Sequence, residues 1–314
     1  MRALRLGAAI LNQTPLDWDG NRHRIMLALQ QAREQHVQIL CLPELCITGY
    51  GCEDFFLAPH VWKTAWNQLL TLLPETRGLT VTLGLPLFHA NGVFNSVGLI
   101  CDGQIAGFVA KQHLAGDGLH YEPRWFRPWP AGARDILSID GGEWPIGDLL
   151  FERNGIRIGL EICEDAWVAN RPGGRLAEHG VDVILNPSAS HFSFGKHEIR
   201  RRFVLEGSRA FGAAYVYANL HGNEAGRAIY DGDAIIASAG EISASADRLR
   251  FLDVSLLKAD VDLLTARTRR AAVHGLRFQP DTNTNPGAAA GLIHLPGRFL
   301  PATKTLASTE SLQS

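Results

Sequence analysis

An α/β fold is predicted for this chain of 314 residues, and three observations predict it. Short apolar runs with two-residue alternation recur along most of the sequence, helical patterns fall between several of them, and turn signals separate the rest. The order reads strand, helix, strand, helix, then a series of strands.

Leu4 to Leu11 is the first strand, and Asn21 to His36 an amphipathic helix with Ile25, Leu29 and Ala32 on one stripe. Val37 to Leu42 is a buried strand that runs straight into PELCITGY. Pro59 to Leu73 is a second helix, and its Trp62, Trp66, Leu69 and Leu73 stripe reads as core packing. Leu79 to Phe88, Val93 to Cys101 and Gln104 to Ala110 form a meander joined by Ala90-Asn91-Gly92 and Asp102-Gly103, which delivers the chain to Lys111. Gln112 to Glu143, rich in Gly, Pro and aromatics, is too long for a mere connection and is a candidate active-site loop. Gly147 to Phe151 and Ile156 to Leu160 are strands, the second ending in EICEDAW. Val181 to Asn186 is an apolar strand ending in PSAS, Lys196 to Phe211 a helix, and Ala213 to Asn219, Asp231 to Ala237 and Leu249 to Val254 the last strands.

Composition narrows the class. With 46% hydrophobic and 8% aromatic residues, the chain can close one large core or two modest ones, and a single folded domain with a tail is expected. Beyond Asp262 the pattern dissolves into a polar stretch that cannot supply a second core. The net charge of −2 and the lack of any long run of like charge give no nucleic-acid footprint. Arg200-Arg201-Arg202 reads as a solvated helix face. Five cysteines (Cys41, Cys46, Cys52, Cys101, Cys163) stand without CxxC pairing, and the twelve histidines lack HExxH or HxH spacing. Neither a disulfide framework nor a metal site is indicated, and a reducing cytoplasm is the expected location. The basic, apolar start is broken by Asn12, Gln13 and Pro15, and no stretch reaches about 18 apolar residues, so neither an export signal nor a membrane span is expected.

Three segments place a reactive residue at the exit of an apolar strand: Glu44 after ILCLP, Lys111 after QIAGFVA, and Cys163 after IRIGLEI. Strand ends on a rigid sheet can bring side chains together with small positional error. A thiol that attacks an amide must lose its proton; a carboxylate can take it and an ammonium can stabilise the anion. The tetrahedral oxygen needs donors, which Lys111 and the backbone NH of Glu164 could supply. Singly, such a cysteine is usually a small buried hydrophobe, and a lone Glu or Lys a surface charge.

Read together, LPELCITGYGCEDFF, KQHLAGDGLHYEPRWF, LEICEDAW and NPSASHFSFGKHEIRRR resemble the nitrilase (carbon-nitrogen hydrolase) superfamily. More narrowly, they resemble the glutamine amidase domain of glutamine-dependent NAD synthetases, over roughly residues 4 to 262. The resemblance implies a four-layer αββα sandwich over 1–262, with 263–314 as an extended tail that serves as an oligomer contact. It also implies Glu44 as general base, Lys111 as catalytic lysine, Cys163 as the nucleophile that forms a thioester, and Glu122 as a second glutamate that orients Lys111 and the substrate nitrogen. Tyr50, Glu164 and Trp167 fall at pocket positions, Ser190 and Lys196 where glutamine is held.

Two departures stand out. Where that domain has a word like LPNY, this chain reads LAGD, with Asp117 in place of the tyrosine that contacts glutamine and Ala115 in place of proline. A carboxylate there favours a substrate ammonium or an amide NH. No Ser-Gly-Gly type pyrophosphate loop follows residue 262, so the chain is expected not to make NAD by itself. The expected activity is hydrolysis of a small carboxamide, glutamine among the candidates, to acid and ammonia without any cofactor. The alternatives are an ammonia-supplying glutaminase subunit for a separate synthetase partner, a nitrilase, or a silent homologue. By analogy, a homo-oligomer is expected.

Overall fold

The computed structural model describes residues 3–224, 227–272, 292–297 and 299. The first half of the chain forms β1 (Leu4–Leu11), α1 (Trp18–Glu34), β2 (Ile39–Cys41), α2 (Pro59–Leu72), β3 (Thr80–His89), β4 (Gly92–Cys101), β5 (Gln104–Ala110), α3 (Glu122–Trp125), β6 (Arg134–Ile139) and β7 (Gly142–Gly147). The second half forms β8 (Leu150–Arg153), β9 (Ile156–Leu160), α4 (Pro172–Glu178), β10 (Val183–Ser188), α5 (Lys196–Ala210), β11 (Ala214–Asn219), β12 (His221–Glu224), β13 (Ala228–Asp231), β14 (Ala234–Ser238), β15 (Glu241–Ser245), β16 (Val254–Val261), α6 (Leu263–Ala271) and β17 (Leu292–His294).

These strands build two large sheets, ordered β16-β1-β2-β3-β4-β5-β7-β6 and β15-β14-β11-β10-β9-β8-β17, with a separate β12-β13 ribbon. Both sheets are covered on both faces, so their central strands read as continuous apolar runs whose alternate residues serve different layers. In β1, Leu6, Ala8 and Ile10 enter the core between the sheets, while Ala9 and Leu11 join the layer that holds Ile25 and Leu29 of α1 and Trp66 and Leu69 of α2. In β11, Ala214 and Val216 face the inter-sheet core, while Tyr215 and Tyr217 pack with Leu176 of α4 and Val204 of α5. The result is helix, sheet, sheet, helix, the αββα sandwich expected.

Several boundaries differ from the sequence reading. The stretch from Gln112 to Glu143 is not all loop: it holds α3 and β6, and β6 pairs antiparallel with β7. The single strand expected over Gly147 to Phe151 is two, β7 and β8, in different sheets. The strand expected over Leu249 to Val254 lies at Val254–Val261, and its register on β1 is fixed by a two-bonded Arg5–Asp260 pair at 2.7 and 2.8 Å. The chain after Asp262 opens as a helix and not as extended tail. Asp262 caps α6 by accepting from the Leu264 amide, and Arg267 binds Asp182 at 2.6 and 2.8 Å. Farther on, β17 pairs in parallel with β8. Asn283, Asn285, Pro286, Gly287 and the closing Thr/Ser/Gln stretch lie outside the described residues. Among the described residues, no helix is long and apolar enough to cross a membrane.

Candidate active site

Glu44 follows β2 on a turn that β3 approaches closely. The next residue, Leu45, has a left-handed backbone (φ 48°), and a Cβ on Gly84 of β3 would lie 2.4 Å from the Leu45 nitrogen. Only glycine permits that approach. The Glu44 carboxylate is fully buried and has three donors. Oε1 accepts from Lys111 Nζ at 2.6 Å and Asn95 Nδ2 at 2.7 Å, and Oε2 accepts from the Ala189 amide at 2.9 Å.

Lys111 leaves β5 with its backbone amide bound to the Asn95 carbonyl at 2.9 Å. Its ammonium, also fully buried, bridges Glu44 and Glu122, donating to Glu122 Oε1 at 2.7 Å. Glu122 opens α3 and has two further donors, Tyr50 OH at 2.7 Å and the Ala115 amide at 3.1 Å. Burial opposes charge on Lys111, yet Glu122, Glu44 and the Cys163 sulfur hold its pKa well above the usual value, so it stays an ammonium. Burial, with Glu44 adding to it, pushes Glu122 up, against the pull of Lys111.

Cys163 stands at the exit of β9 with φ 45°, a strained conformation for a residue with a side chain, and starts a single 3-10 turn over Cys163–Ala166. The surroundings impose that turn. Asp165, 1% exposed, accepts from the Ile162 amide at 3.0 Å and from the Gln112 and His113 amides at 3.1 and 2.8 Å, which ties the turn to the chain after Lys111. Beneath it, buried Glu161 binds Arg171, Tyr215 OH at 2.6 Å and the Gly173 amide at 2.7 Å. Burial first and then the Glu44 carboxylate raise the Cys163 thiol far above its usual pKa, opposed by Lys111 and the Ala189 amide. The resting group is therefore a thiol, and it needs a base to become a nucleophile.

Glu44, Lys111, Glu122 and Cys163 thus form one buried, electrostatically coupled cluster. Tyr50 stands behind it as a hydrogen-bond donor to Glu122. Lys196 lies over the Trp167 ring, with Nζ 5.3 Å from the centroid, and interacts with the Cys163 sulfur and with the charges of Asp117 and half-buried Glu164. Asp117 is on an exposed turn. Ser190 is held from two sides: its amide donates to Asn219 Oδ1 at 2.8 Å, and its Oγ accepts from Arg200 at 3.2 Å. Arg200 corrects the expectation of a solvated basic face. Arg201 and Arg202 are exposed, but Arg200 is fully buried, with Nη1 2.7 Å from both oxygens of Asp231 and Nη2 bound to the carbonyls of Ser190 and His191. A helix turned by one position presents the next residue to the core, and a triplet of like residues hides which one that is.

Sequence reasoning missed Asn95, Ala189, Asp165 and the histidines His120 and His191. Asn95 carried a usable signal, a lone side-chain amide in a mostly apolar strand. The Ala189 contribution is a backbone amide and carried none.

Residues 5–271 match the model of the carbon-nitrogen hydrolase family. The glutamine-dependent NAD(+) synthetase of Saccharomyces cerevisiae is 35% identical over 281 residues, which cover 86% of this chain and 39% of that protein. The crystal structure of a glutamine-dependent NAD(+) synthetase from Cytophaga hutchinsonii is similar with a TM-score of 0.78 and 46% identity, over 82% of this chain and 43% of that one. An amidase of the nitrilase superfamily from Nesterenkonia shares the fold over 87% of this chain and 96% of its own, at a TM-score of 0.66 and 22% identity. The chain spans about two fifths of the length of the synthetases it matches.

Proposed function

The chain belongs to the carbon-nitrogen hydrolase family, and from that premise we propose that it cleaves the side-chain carboxamide of glutamine to glutamate and ammonia through a thioester on Cys163. The observation that carries this reading is the Lys111 ammonium held at 2.6 and 2.7 Å between two buried carboxylates, coupled to a buried thiol on a strained turn.

Glu44 takes the thiol proton, and Cys163 Sγ adds to the amide carbon. Lys111 and the Glu164 amide stabilise the oxyanion. The protonated Glu44 gives its proton to the departing nitrogen, which leaves as ammonia while the acyl group stays on sulfur. Water then loses a proton to Glu44 and attacks the thioester, the acid departs, and the proton returns to Sγ. Glu122 is a positioning residue that keeps Lys111 charged and in place.

Glutamine is favoured over simpler amides by the names of the relatives and by the charges around Lys196. A cation beside Asp117 and Glu164 complements the carboxylate and ammonium of an α-amino acid. Ammonia release from glutamine, asparagine and a panel of small amides tests this. Glutamine is expected to give the highest kcat/KM, and a Cys163→Ala variant no turnover; glutamine turned over no better than acetamide would sink the assignment. The relatives' names favour a second reading, in which the ammonia passes to an NAD-forming synthetase. Glutamine turnover that accelerates when an ammonia-dependent NAD synthetase and its substrates are added supports it, and an unchanged rate supports free hydrolysis.

A further inference from the structure

Resting on the amidase reading above, we propose that His120 and His191 are positioning residues of the reaction: a continuous, one-way run of hydrogen bonds joins His191, against whose ring Lys196 packs, to Glu122.

The run starts at Glu122 Oε1, which accepts from Tyr50 OH at 2.7 Å. A phenol has one proton. With that proton on the Glu122 side, the 2.9 Å contact between Tyr50 OH and His120 Nδ1 requires the ring nitrogen to be the donor. A neutral imidazole that carries its proton on Nδ1 must accept at Nε2. His120 Nε2 has its partner there, His191 Nδ1 at 2.8 Å, which therefore donates. Lys196 Nζ lies 3.2 Å from His191 Nδ1 and 3.5 Å from Nε2, nearly equidistant from the two, so it packs against the His191 ring and the run of hydrogen bonds ends at His191. Every donor in the run points toward Glu122, and each tautomer follows from its neighbour.

Neutral rings are what the surroundings enforce. Burial, then the charges of Lys111, His191, Lys196 and Arg227, depress His120 to about 3. Burial, Lys196 and Arg200 also depress His191, against the opposing pull of Asp117 and Asp231. A doubly protonated His120 would have no acceptor at Nε2, and His191 Nδ1 would face a donor. The run therefore does two things. At its inner end, His120 fixes the Tyr50 hydroxyl so that its proton stays directed at Glu122, one of the carboxylates that hold Lys111. At its outer end, His191 positions Lys196 over Trp167, where the charge of an incoming substrate meets it.

Isosteric amides separate the two ends. In His120→Asn the side-chain NH2 can stand where Nδ1–H stood, keeping the donor to Tyr50 and cutting the link to His191. In His120→Gln the amide oxygen can stand where Nε2 stood, keeping the acceptor for His191 and losing the donor to Tyr50. Loss of one buried hydrogen bond predicts a roughly tenfold fall in kcat for His120→Gln with KM near that of the parent, and for His120→Asn a KM raised roughly fivefold or more with kcat within about threefold. His191→Ala, which removes the ring against which Lys196 packs, should raise KM as His120→Asn does. The parallel readout needs no amide substrate: the rate of Cys163 alkylation by iodoacetamide against pH, followed by intact mass, should shift in His120→Gln and stay near the parent in His120→Asn. Equal kcat and KM effects of the Asn and Gln variants, or no change in either, overturn the relay. If glutamine is not turned over but the alkylation profiles divide as stated, the relay stands and the glutamine reading falls.

Discussion

Replacing Asp165 tests whether one carboxylate locks the nucleophile turn to the lysine segment. Its Oδ1 holds the amides of Gln112 and His113, and its Oδ2 the amide of Ile162, with the side chain 1% exposed. In Asp165→Ala all three amides lose their acceptor in a dry site. At about 1–3 kcal/mol for each unpaired buried group, the loss is roughly 3 kcal/mol at the least. Asp165→Asn behaves differently, because its oxygen can keep the Gln112 and His113 amides while its NH2 faces the Ile162 amide, donor against donor. One mismatch predicts roughly 1–3 kcal/mol. The activity order should follow. Displacing Cys163 from Lys111 by about 1 Å costs roughly a hundredfold in kcat, so the alanine variant should fall by that much and the asparagine variant by far less. Urea unfolding at pH 7 gives the stability difference from the midpoints at constant slope, and ammonia release gives kcat. If the two variants share one midpoint, or if neither loses more than about 0.5 kcal/mol, the tether does not carry the geometry attributed to it.

Four further outcomes follow from the same site. Glu44→Gln keeps the shape of the side chain but cannot accept the thiol proton, and kcat should fall by roughly 10²–10⁴ in the ammonia assay. Gly84→Ala puts a methyl against the Leu45 backbone; a loss of roughly 1–3 kcal/mol in the thermal or urea midpoint, together with a drop in kcat, is expected because the displaced segment carries Glu44. Arg200→Leu removes the buried cation between Asp231 and Asp233, leaving, among the described residues, Asp231 paired only with partly exposed Arg248 at 3.2 Å and Asp233 only with His197 at 2.8 Å, and should cost about 3–5 kcal/mol, while Arg201→Leu stays within about 0.5 kcal/mol in the same unfolding experiment. For pH, the folded His120 titrates near 3 and the unfolded one near its ordinary value of about 6.5. Between those values the unfolded chain binds the extra proton, so this group makes stability rise with pH and removes up to about 2 kcal/mol on going from pH 7 to pH 5. Urea midpoints at the two pH values should therefore differ less in His120→Asn than in the parent; equal differences would refute the assigned shift.

The parts of the fold that could be read in advance are those where one physical period dominates. β1 and β5 have the ends that the sequence indicates, because each is a largely apolar run bounded by polar turns, β1 buried along its whole length and β5 over its second half. α3, β6, β12, β13 and β15 could not be read this way. They are four to six residues long, and β6 and β15 are largely solvent-facing, so their pairing and not their own pattern makes them strands. The displaced β16 has the same origin: Val254–Val261 is half-exposed along its length up to the buried Val261, while Leu249, Phe251 and Leu252 are apolar residues that the fold leaves outside. Asp262 was a readable helix signal that polar composition downstream obscured.

The site divides along a similar line. That Glu44, Lys111 and Cys163 meet is legible because each leaves a local trace, a reactive side chain directly after an apolar run. The φ of 45° at Cys163 and 48° at Leu45 shows what that trace costs: both residues sit where side chains are disfavoured, held there by Asp165 and by the missing Cβ of Gly84. The supports of the site left no such trace, since they act across sequence distances that no spacing rule spans. Asn95 meets Glu44 over 51 residues, Ala189 over 145, and His120 meets His191 over 71. Only the paired sheets bring these residues together, so their contribution belongs to the fold as a whole. Substitutions there should therefore tune the chemistry through geometry while leaving all three strand-end residues in the sequence.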